Sequence, residues 1–293
     1  MNSQNTTLEF KKKIEQIKQL PTLPEIGKQL LDLQQNPDAT IQDLVKIIEF
    51  DPILTSQLLR HSNSAFFSTA KTMTSIQDAI MLIGFDSTLN LAMGLISAKS
   101  FKIPTQGPIG MRAFWLHAIY SANLMQLLAT KVPTGTNIKT GMAYLAGLLH
   151  NFGLVLLGHE FTYDFKLVNN ALEDDPKTDL ITVEKSLLGF HHFQVGSWLM
   201  RKWGLPPEIM TTVLEHHNEH YQGDFREYAN LALVADRALF AYSIGDSDSE
   251  EIPSKILNAF QLTHEEITEY CEQLMEKSEL INAMVDNIIE SSH

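Results

Sequence analysis

The sequence has little cysteine and little positive charge. Its 293 residues include one cysteine, Cys271, so no intrachain disulfide can form and a reducing compartment is expected. Lysine and arginine total 22 against 35 acidic residues, for a formal net charge of −13, and the one basic cluster is Lys11, Lys12 and Lys13. Because nucleic-acid binding usually needs a basic stripe, direct contact with nucleic acid is disfavoured.

Long apolar runs and known phosphate-binding or catalytic loops are also missing. No apolar run approaches the roughly eighteen residues of a membrane-spanning helix, and residues 2–19 lack the apolar core of a signal peptide. The sequence therefore predicts a cytoplasmic protein without membrane insertion. It also lacks a Walker loop, a Gly-x-Gly-x-x-Gly turn and a Gly-x-Ser-x-Gly elbow. The sequence therefore gives no indication of the common nucleotide-binding and serine-hydrolase sites.

Helical periodicity runs through almost every segment, and the apolar content of 44% suffices for a core. Thr40 is followed three residues later by Asp43, and Thr263 by Glu266, which is the spacing of a capping box at a helix start. The predicted fold class is all-α. The predicted helices span residues 23–33, 41–50, 53–61, 75–84, 85–100, 111–130, 138–157, 162–172, 178–188, 192–203, 206–215, 225–242, 256–260 and 263–288.

Shifts in composition divide the chain. Residues 104–110 (PTQGPIG) break a helix with two prolines and two glycines, and residues 243–253 (SIGDSDSEEIP) form an acidic, serine-rich loop that we expect to be exposed. These joints predict an N-terminal helical bundle at 1–104, a multi-helix core at 111–243 and a C-terminal helical extension at 253–293. The apolar stripe of the last predicted helix either packs on its own domain or forms a homodimer contact.

The most informative stretch is 143–157 (AYLAGLLHNFGLVLL), where His150 and Asn151 interrupt an apolar helix. A buried polar group without a partner costs about 1–3 kcal/mol, so this pair needs partners. The candidates stand on other predicted helices or at their ends, and they are His117, His192, His216, His217 and Asp236. Imidazole and carboxylate groups hold divalent first-row metals between neighbouring helices. A lone histidine on an apolar face is usually a core residue, but this many ordered positions favour a metal pocket.

The order of these residues resembles the HD-domain superfamily of metal-dependent phosphohydrolases, whose motif is a His-Asp pair. More closely, residues 20–240 resemble the HDOD family, an HD-related output domain of bacterial signalling proteins. The phrases that carry the resemblance are LPTLPEI (20–26), FDPILTSQLLRHSNSAFF (50–67), TSIQDAIMLIG (74–84), YLAGLLHNFGLVLL (144–157), GFHHFQVGSWLMRKWGLPPEI (189–209) and EHH (215–217). The resemblance implies an N-terminal helical bundle packed on an HD-like core, with a metal pocket lined by His117, His150, Asn151, His192, His216, His217 and Asp236.

Two departures from the HD pattern affect the expected chemistry. Asn151 stands where HD hydrolases have the aspartate of the pair, and Leu154 stands where many of them have a lysine. An aspartate there charges or bridges the metal centre, so that bound water deprotonates near neutral pH, whereas asparagine offers only a neutral oxygen. Leu154 cannot contact a phosphate. No Gly-Tyr-Pro phrase follows His216 and His217, so the chain does not resemble the cyclic dinucleotide hydrolases of the HD-GYP type.

The sequence therefore predicts a bacterial signal-transduction or regulatory module that acts through contacts with a protein partner and has no catalytic residues. It predicts no required cofactor, with the pocket either empty or holding one divalent ion (Fe, Mn, Ni or Zn) weakly, because the site has one negative charge fewer than an HD pair supplies. The alternative is a metal-dependent phosphohydrolase that acts on a nucleotide or a phosphomonoester.

Overall fold

The computed structural model describes residues 21–63, 72–99, 101–133, 136, 138–247 and 249–290. Residues 1–20 of the predicted N-terminal bundle, with the lysine cluster, lie outside these ranges. All regular elements within the described ranges are α-helices, so the all-α prediction is confirmed.

The first helices form the N-terminal bundle. They are α1 (Glu25–Gln35), α2 (Ile41–Glu49), α3 (Pro52–Ser62), α4 (Ile76–Ile83) and α5 (Phe85–Ala98). Their starts follow from local sequence, since Thr40 and Asp43 close the predicted capping box of α2. Asp51 Oδ1 accepts hydrogen bonds from the backbone N–H groups of Ile53 and Leu54 at the start of α3 (2.9 and 3.1 Å). Such caps satisfy the N–H groups that a first helical turn leaves without partners.

The middle of the chain forms the core that surrounds the predicted metal pocket. Its helices are α6 (Met111–Ala129), α7 (Thr140–Leu149), α8 (Phe152–Glu160), α9 (Thr162–Asp174), α10 (Leu180–Leu187), α11 (His192–Lys202), α12 (Pro207–Glu215) and α13 (Arg226–Phe240). The prediction of one helix over 138–157 is wrong in one respect, because the chain leaves helical geometry at Asn151 (φ −97°, ψ 16°) between α7 and α8. Asparagine favours helix ends, where its short polar side chain competes for backbone groups. The break therefore lies at the His-Asn pair.

Helix α7 lies at the centre of the fold. It packs against α6, α12 and α13 and also against α5 of the N-terminal bundle, where Asn90 Nδ2 donates to the carbonyl of Gly141 (2.7 Å). Taken across the break, Thr140–Glu160 is long and apolar enough to cross a membrane, but 89% of its most apolar part is buried inside the fold. Helices α4 and α5 pass the same test only as a pair bent by 113°. This burial shows that α7 and α8 are core helices.

The C-terminal extension packs on the same chain. It consists of α14 (Ser254–Phe260), α15 (His264–Met275) and α16 (Ser278–Glu290), so the predicted long last helix is interrupted between α15 and α16. Its apolar stripe is buried, with Cys271 1% exposed and Val285 fully buried, against α6 and, for α16, also against α3. Burial raises the pKa of the Cys271 thiol to about 12, which fits a structural residue. The extension thus connects the core to the N-terminal bundle.

Candidate metal centre

The histidines and the aspartate that were predicted as ligands lie together in the core. They form two adjacent groups, and the second group also contains Asp246, which was not predicted from the sequence. Within each group the ligand atoms all lie within 4.8 Å of one another. The first group consists of His117 from α6, His150 at the end of α7 and Asp236 from α13. The second group consists of His192 from α11, His216 and His217 after α12, and Asp246 from the loop after α13.

The first group is compact and buried. Asp236 Oδ1 lies 3.1 Å from His117 Nε2 and 3.3 Å from His150 Nε2, and the two Nε2 atoms are 2.7 Å apart. The most exposed of the three residues, His117, has 4% of its surface accessible. Three helices therefore direct one ligand atom each to the same point.

The second group is arranged around Asp246. Its Oδ2 lies 3.4 Å from His192 Nε2 and 3.5 Å from His217 Nε2, while His192 Nε2 and His216 Nε2 are 3.5 Å apart. The other oxygen, Oδ1, lies 4.0 Å from Nε2 of His117 in the first group. One carboxylate therefore faces both groups.

Backbone carbonyls orient two of the imidazoles. His150 Nδ1 lies 2.7 Å from the carbonyl oxygen of Gly147, and His216 Nδ1 lies 3.0 Å from that of Val213. Because a carbonyl can only accept a hydrogen bond, each Nδ1 is the donor, and in the neutral ring Nε2 then presents a lone pair to the group. This is the tautomer that a metal ligand needs.

Glu184, on α10, orients a third imidazole. Its carboxylate accepts a hydrogen bond from the backbone N–H of His192 (3.0 Å) and lies 3.0 Å from His192 Nδ1, and both residues are fully buried. Burial alone raises the pKa of Glu184, but His192 lowers it and the net direction is downward. Glu184 was not predicted, because a glutamate within a helix whose partner is not adjacent in sequence carries no local signal.

The two buried carboxylates are ionised. Burial raises the pKa of Asp236, but the imidazole of His150 outweighs this effect and holds the pKa well below its usual range. Burial likewise raises the pKa of Asp246, but His217 and His192 hold it well below its usual range. The pocket therefore carries negative charge from two sides.

The imidazoles differ in their tendency to hold a proton. Burial lowers the pKa of His150, but Asp236 raises it and the net direction is upward. Burial and then the neighbouring His217 lower the pKa of His216 well below its usual value, so this ring is neutral near pH 7 and able to bind a metal. His150 instead competes for a proton that a metal ion would displace.

The residues present fit a divalent metal ion. Within the described part of the chain, neither oxygen of Asp236 or of Asp246 accepts a hydrogen bond of normal geometry, and Asn151 Oδ1 also has no partner. Buried charged oxygens without partners are costly unless a cation compensates them. Imidazole nitrogen and carboxylate oxygen together suit Fe, Mn, Ni or Zn.

The loop at 243–253 was predicted to be exposed, and this is wrong at Asp246, Ser247 and Ile252, whereas Ser243, Gly245, Glu250 and Glu251 are exposed as predicted. The Asp246 side chain is 7% exposed and Ser247 is 6% exposed. The acidic composition suggested solvation, but surrounding imidazoles compensate the carboxylate inside the pocket. Gly245 makes this path available, because its φ of +107° is unfavourable for other residues and an added Cβ would lie 2.6 Å from His117 Nδ1.

A cavity of about 410 Å³ adjoins the two groups. His117, Asn151 and Asp246 border it on the metal side, so the predicted ligand Asn151 lies beside the groups with its oxygen free of hydrogen bonds. The remaining lining is mostly apolar and includes Ile109, Phe114, Leu154, Leu172, Leu180 and Phe240. The cavity is therefore polar on the side of the ligand groups and mostly apolar elsewhere.

Solved bacterial proteins share this fold. A candidate signal transduction protein from Marinobacter aquaeolei VT8 is 32% identical, with a TM-score of 0.86 over 98% of this chain and 66% of its own. An HDOD domain protein with unknown function from Geobacter sulfurreducens is 24% identical, and the match has a TM-score of 0.78 and covers 98% of this chain and 99% of that protein. A candidate phosphohydrolase from Shewanella amazonensis SB2B is 21% identical, and the match has a TM-score of 0.72 and covers 94% of this chain and 97% of that protein. The last two show the common fold alone.

Sequence comparison gives the family. An uncharacterized protein of Treponema pallidum (strain Nichols) is 26% identical over 261 residues, which cover 87% of this chain and 49% of the relative. The chain thus spans about half the length of that relative and 66% of the Marinobacter protein. The sequence pattern of the HDOD domain matches residues 20–219, which include His117, His150, His192, His216 and His217. The chain belongs to the HDOD domain family.

Proposed function

We propose that this chain is a regulatory module of bacterial signal transduction that works in the cytoplasm through contact with a protein partner and binds divalent metal in its core without hydrolysing phosphate esters. The cavity beside the ligand groups carries this proposal, because its wall suits an apolar group better than a phosphate. Membership in the HDOD family and the 32% identity to a Marinobacter protein named for signal transduction support it.

The cavity lacks the positive charge that phosphate chemistry uses. Enzymes that transfer or cleave phosphates place cationic side chains as well as metal ions against the phosphate oxygens. Among the described residues that line the cavity, Lys177 is the one lysine or arginine, and it is exposed. Leu154, at the position of the lysine in many HD hydrolases, is buried in the wall. This combination favours binding over hydrolysis.

The N-terminal bundle offers a surface for a protein partner. Phe50 is 80% exposed and Ile53 is 43% exposed, and they flank the short turn between α2 and α3. Neighbouring exposed apolar side chains are typical of contact surfaces. The net charge of −13 favours a partner with a basic face, since complementary charge speeds association.

A hydrolysis assay tests the first half of the proposal. Protein loaded with Mn²⁺, Fe²⁺ or Zn²⁺ is offered p-nitrophenyl phosphate, nucleoside monophosphates and triphosphates, and cyclic dinucleotides. We expect no more turnover than the His150→Ala variant shows under the same conditions. Metal-dependent turnover that disappears in His150→Ala would show that the chain is an enzyme.

Photo-crosslinking in the native cell tests the second half. A photoreactive amino acid at position 50 should give one cross-linked product of defined mass, because this side chain faces the partner. The matched control is position 163, where Tyr163 is 74% exposed on α9 of the core, and it should give none. A product of twice the chain mass would identify the partner as a second copy, and equal products at both positions would contradict the assigned surface.

One observation favours the alternative, a metal-dependent phosphohydrolase. Asp246 supplies a second buried carboxylate, so the shortage of negative charge expected from Asn151 is offset and two metal ions can be balanced. Two-metal sites activate water for attack on phosphates. The hydrolysis assay decides between the two functions, and turnover of one substrate class would identify that class.

A further inference from the structure

We propose that Asp246 takes over the role of the missing aspartate of the His-Asp pair and bridges two divalent metal ions, one in each ligand group. The inference rests on metal binding as stated in the proposed function. Asp246 lies beyond residues 20–219 that the HDOD pattern matches and comes from a loop after α13, far along the chain from Asn151. The pocket of this chain is thus completed by a segment outside the matched domain.

The positions of the two oxygens support a bridge. Oδ2 lies 3.4 Å from His192 Nε2 and 3.5 Å from His217 Nε2, whereas Oδ1 lies 4.0 Å from His117 Nε2. A carboxylate that turns one oxygen toward each of two sets of imidazoles can bind one ion through each oxygen. Both oxygens face imidazole nitrogens of the proposed ligands, so a metal ion between them would contact the carboxylate and the imidazoles together.

The charge of the pocket also favours a role for Asp246. Two divalent ions carry four positive charges, and Asp236 alone would leave most of that charge uncompensated in a buried site. The histidines are neutral when they bind metal, and Asn151 contributes no charge. Asp246, whose carboxylate faces His192 and His217 inside the pocket, supplies the negative charge that the Asp-to-Asn exchange removes.

Contacts at both ends hold the loop in the pocket. At one end, Gly245 lies against the ring of His117, where an added Cβ would be 2.6 Å from Nδ1. At the other end, Arg237 of α13 donates to the carbonyl of Glu251 and pairs with Glu219 (2.9 Å). Asp246 lies between these two anchors, so its position is built into the fold.

Manganese binding tests the inference without relying on activity. Mn²⁺ is titrated calorimetrically into the metal-free full chain, and electron paramagnetic resonance then distinguishes isolated ions from a pair coupled through a shared carboxylate. The variants are Asp246→Asn, the control Glu250→Gln, which removes one exposed carboxylate from the same loop, and the double variant Asn151→Asp with Asp246→Asn. Circular dichroism checks that each variant keeps its helix content.

The unchanged chain should bind two coupled Mn²⁺ ions. Asp246→Asn should lose the coupling, with the Kd of the second ion raised at least tenfold, while Glu250→Gln should behave as the unchanged chain. The double variant should recover the coupled pair, because the carboxylate returns to the position of the His-Asp motif. Two coupled ions in folded Asp246→Asn, an equal loss in Glu250→Gln, or no recovery in a folded double variant would overturn the inference.

The two proposals fail in different ways. Metal-dependent phosphate turnover by the unchanged chain would contradict the proposed regulatory function and leave ligation by Asp246 standing. Retention of the coupled pair in Asp246→Asn would overturn the bridge and leave the regulatory function standing. A chain that binds no Mn²⁺ at all would overturn the bridge and the metal-binding part of the function together.

Discussion

Glu184 illustrates how a single carboxylate outside the ligand groups controls one of them. It binds the backbone N–H of His192 and faces its Nδ1, so the imidazole can neither rotate nor present the wrong nitrogen to the second group. Partners of this kind fix the tautomer of a metal-binding histidine and increase its basicity. A residue outside both ligand groups can therefore tune the proposed metal site.

Replacing this carboxylate should weaken metal binding. We expect Glu184→Gln to raise the Kd for Mn²⁺ by about 10–100-fold, because an amide orients His192 without raising the basicity of its ring. Asp174→Asn, an exposed carboxylate at the end of α9, is the matched control and should leave the Kd unchanged. Calorimetric titration measures both, and an unchanged Kd in Glu184→Gln would show that Glu184 has only a packing role.

Metal binding should also depend on pH. The pKa of His150 is raised, because Asp236 outweighs the lowering effect of burial, and the pKa of His192 is raised in the same way by Glu184. A group holds its proton below its pKa, so these rings compete with metal at low pH and release protons when metal binds. We expect the affinity for Mn²⁺ to increase between about pH 6 and 8, where histidines titrate.

Proton release provides the measurement for this prediction. Titrations in buffers of different ionisation enthalpy give the number of protons released for each bound ion. His220→Asn, at a ring that is 87% exposed, is the control and should leave that number unchanged. An affinity that does not change with pH would contradict the prediction.

At the scale of residues, the sequence revealed histidines more readily than carboxylates. His117, His150 and His192 stand out because a polar ring in an apolar helix needs an explanation. Glu184 and Asp246 do not stand out, because acidic residues in a helix or in an acidic loop are ordinary on a surface. Their burial depends on which imidazoles the fold brings next to them, and that information is not local.

At the scale of elements, the crossing of α8 and α11 brings the His-Asn pair next to the second group. Gly153, two residues after Asn151, lies against the backbone of α11, and a Cβ there would be 1.9 Å from the carbonyl oxygen of His192. Backbone atoms cannot move aside as a flexible side chain can. The two helices can therefore approach this closely only with glycine at position 153.

We expect Gly153→Ala to reduce the free energy of unfolding by about 2–3 kcal/mol or more, because it forces two core helices apart. Gly204→Ala is the control. Its added carbon would meet no atom within 4 Å and only the φ of +68° is unfavourable, so it should cost about 1 kcal/mol. Urea unfolding of both variants measures the difference. Equal losses would show that α8 and α11 separate easily.

Most element boundaries could be predicted from local chemistry. Thr40 with Asp43 and Thr263 with Glu266 form the capping boxes that their spacing predicts. The breaks at Asn151 and between α15 and α16 were not predicted, because apolar residues resume at helical spacing after the short polar interruption at each point. Tertiary packing decides whether a helix continues at such a point, and the local sequence pattern carries no information about that packing.

At the scale of the whole molecule, α16 contacts both the core and the N-terminal bundle. It buries Ile281 and Val285, and Arg112 of α6 binds Asn282 (2.8 Å) and Asp286 (3.3 Å). Burial of one such aliphatic side chain contributes about 1.5–3 kcal/mol. The last helix therefore stabilises parts of the chain that are distant from it in sequence.

Deleting residues 278–290 should lower the free energy of unfolding by several kcal/mol. It should also speed amide hydrogen exchange in α3 and α6, which α16 covers, more than in α8 and α11, which it does not. A chain that ends at residue 290 is the control and should match the full chain. Uniform acceleration in all four helices would show instead that the fold unfolds only as one unit.

The ligand groups draw on residues spread from His117 to Asp246, which has a consequence for synthesis on the ribosome. A nascent chain that has emerged only as far as Asp236 lacks Asp246, so under the proposed bridge it cannot hold a coupled pair of ions. Chains rich in contacts between residues distant in sequence also fold more slowly. Uptake of a coupled pair would then follow the emergence of residue 246 from the ribosome, and a nascent chain that stops short of it would hold isolated ions at most.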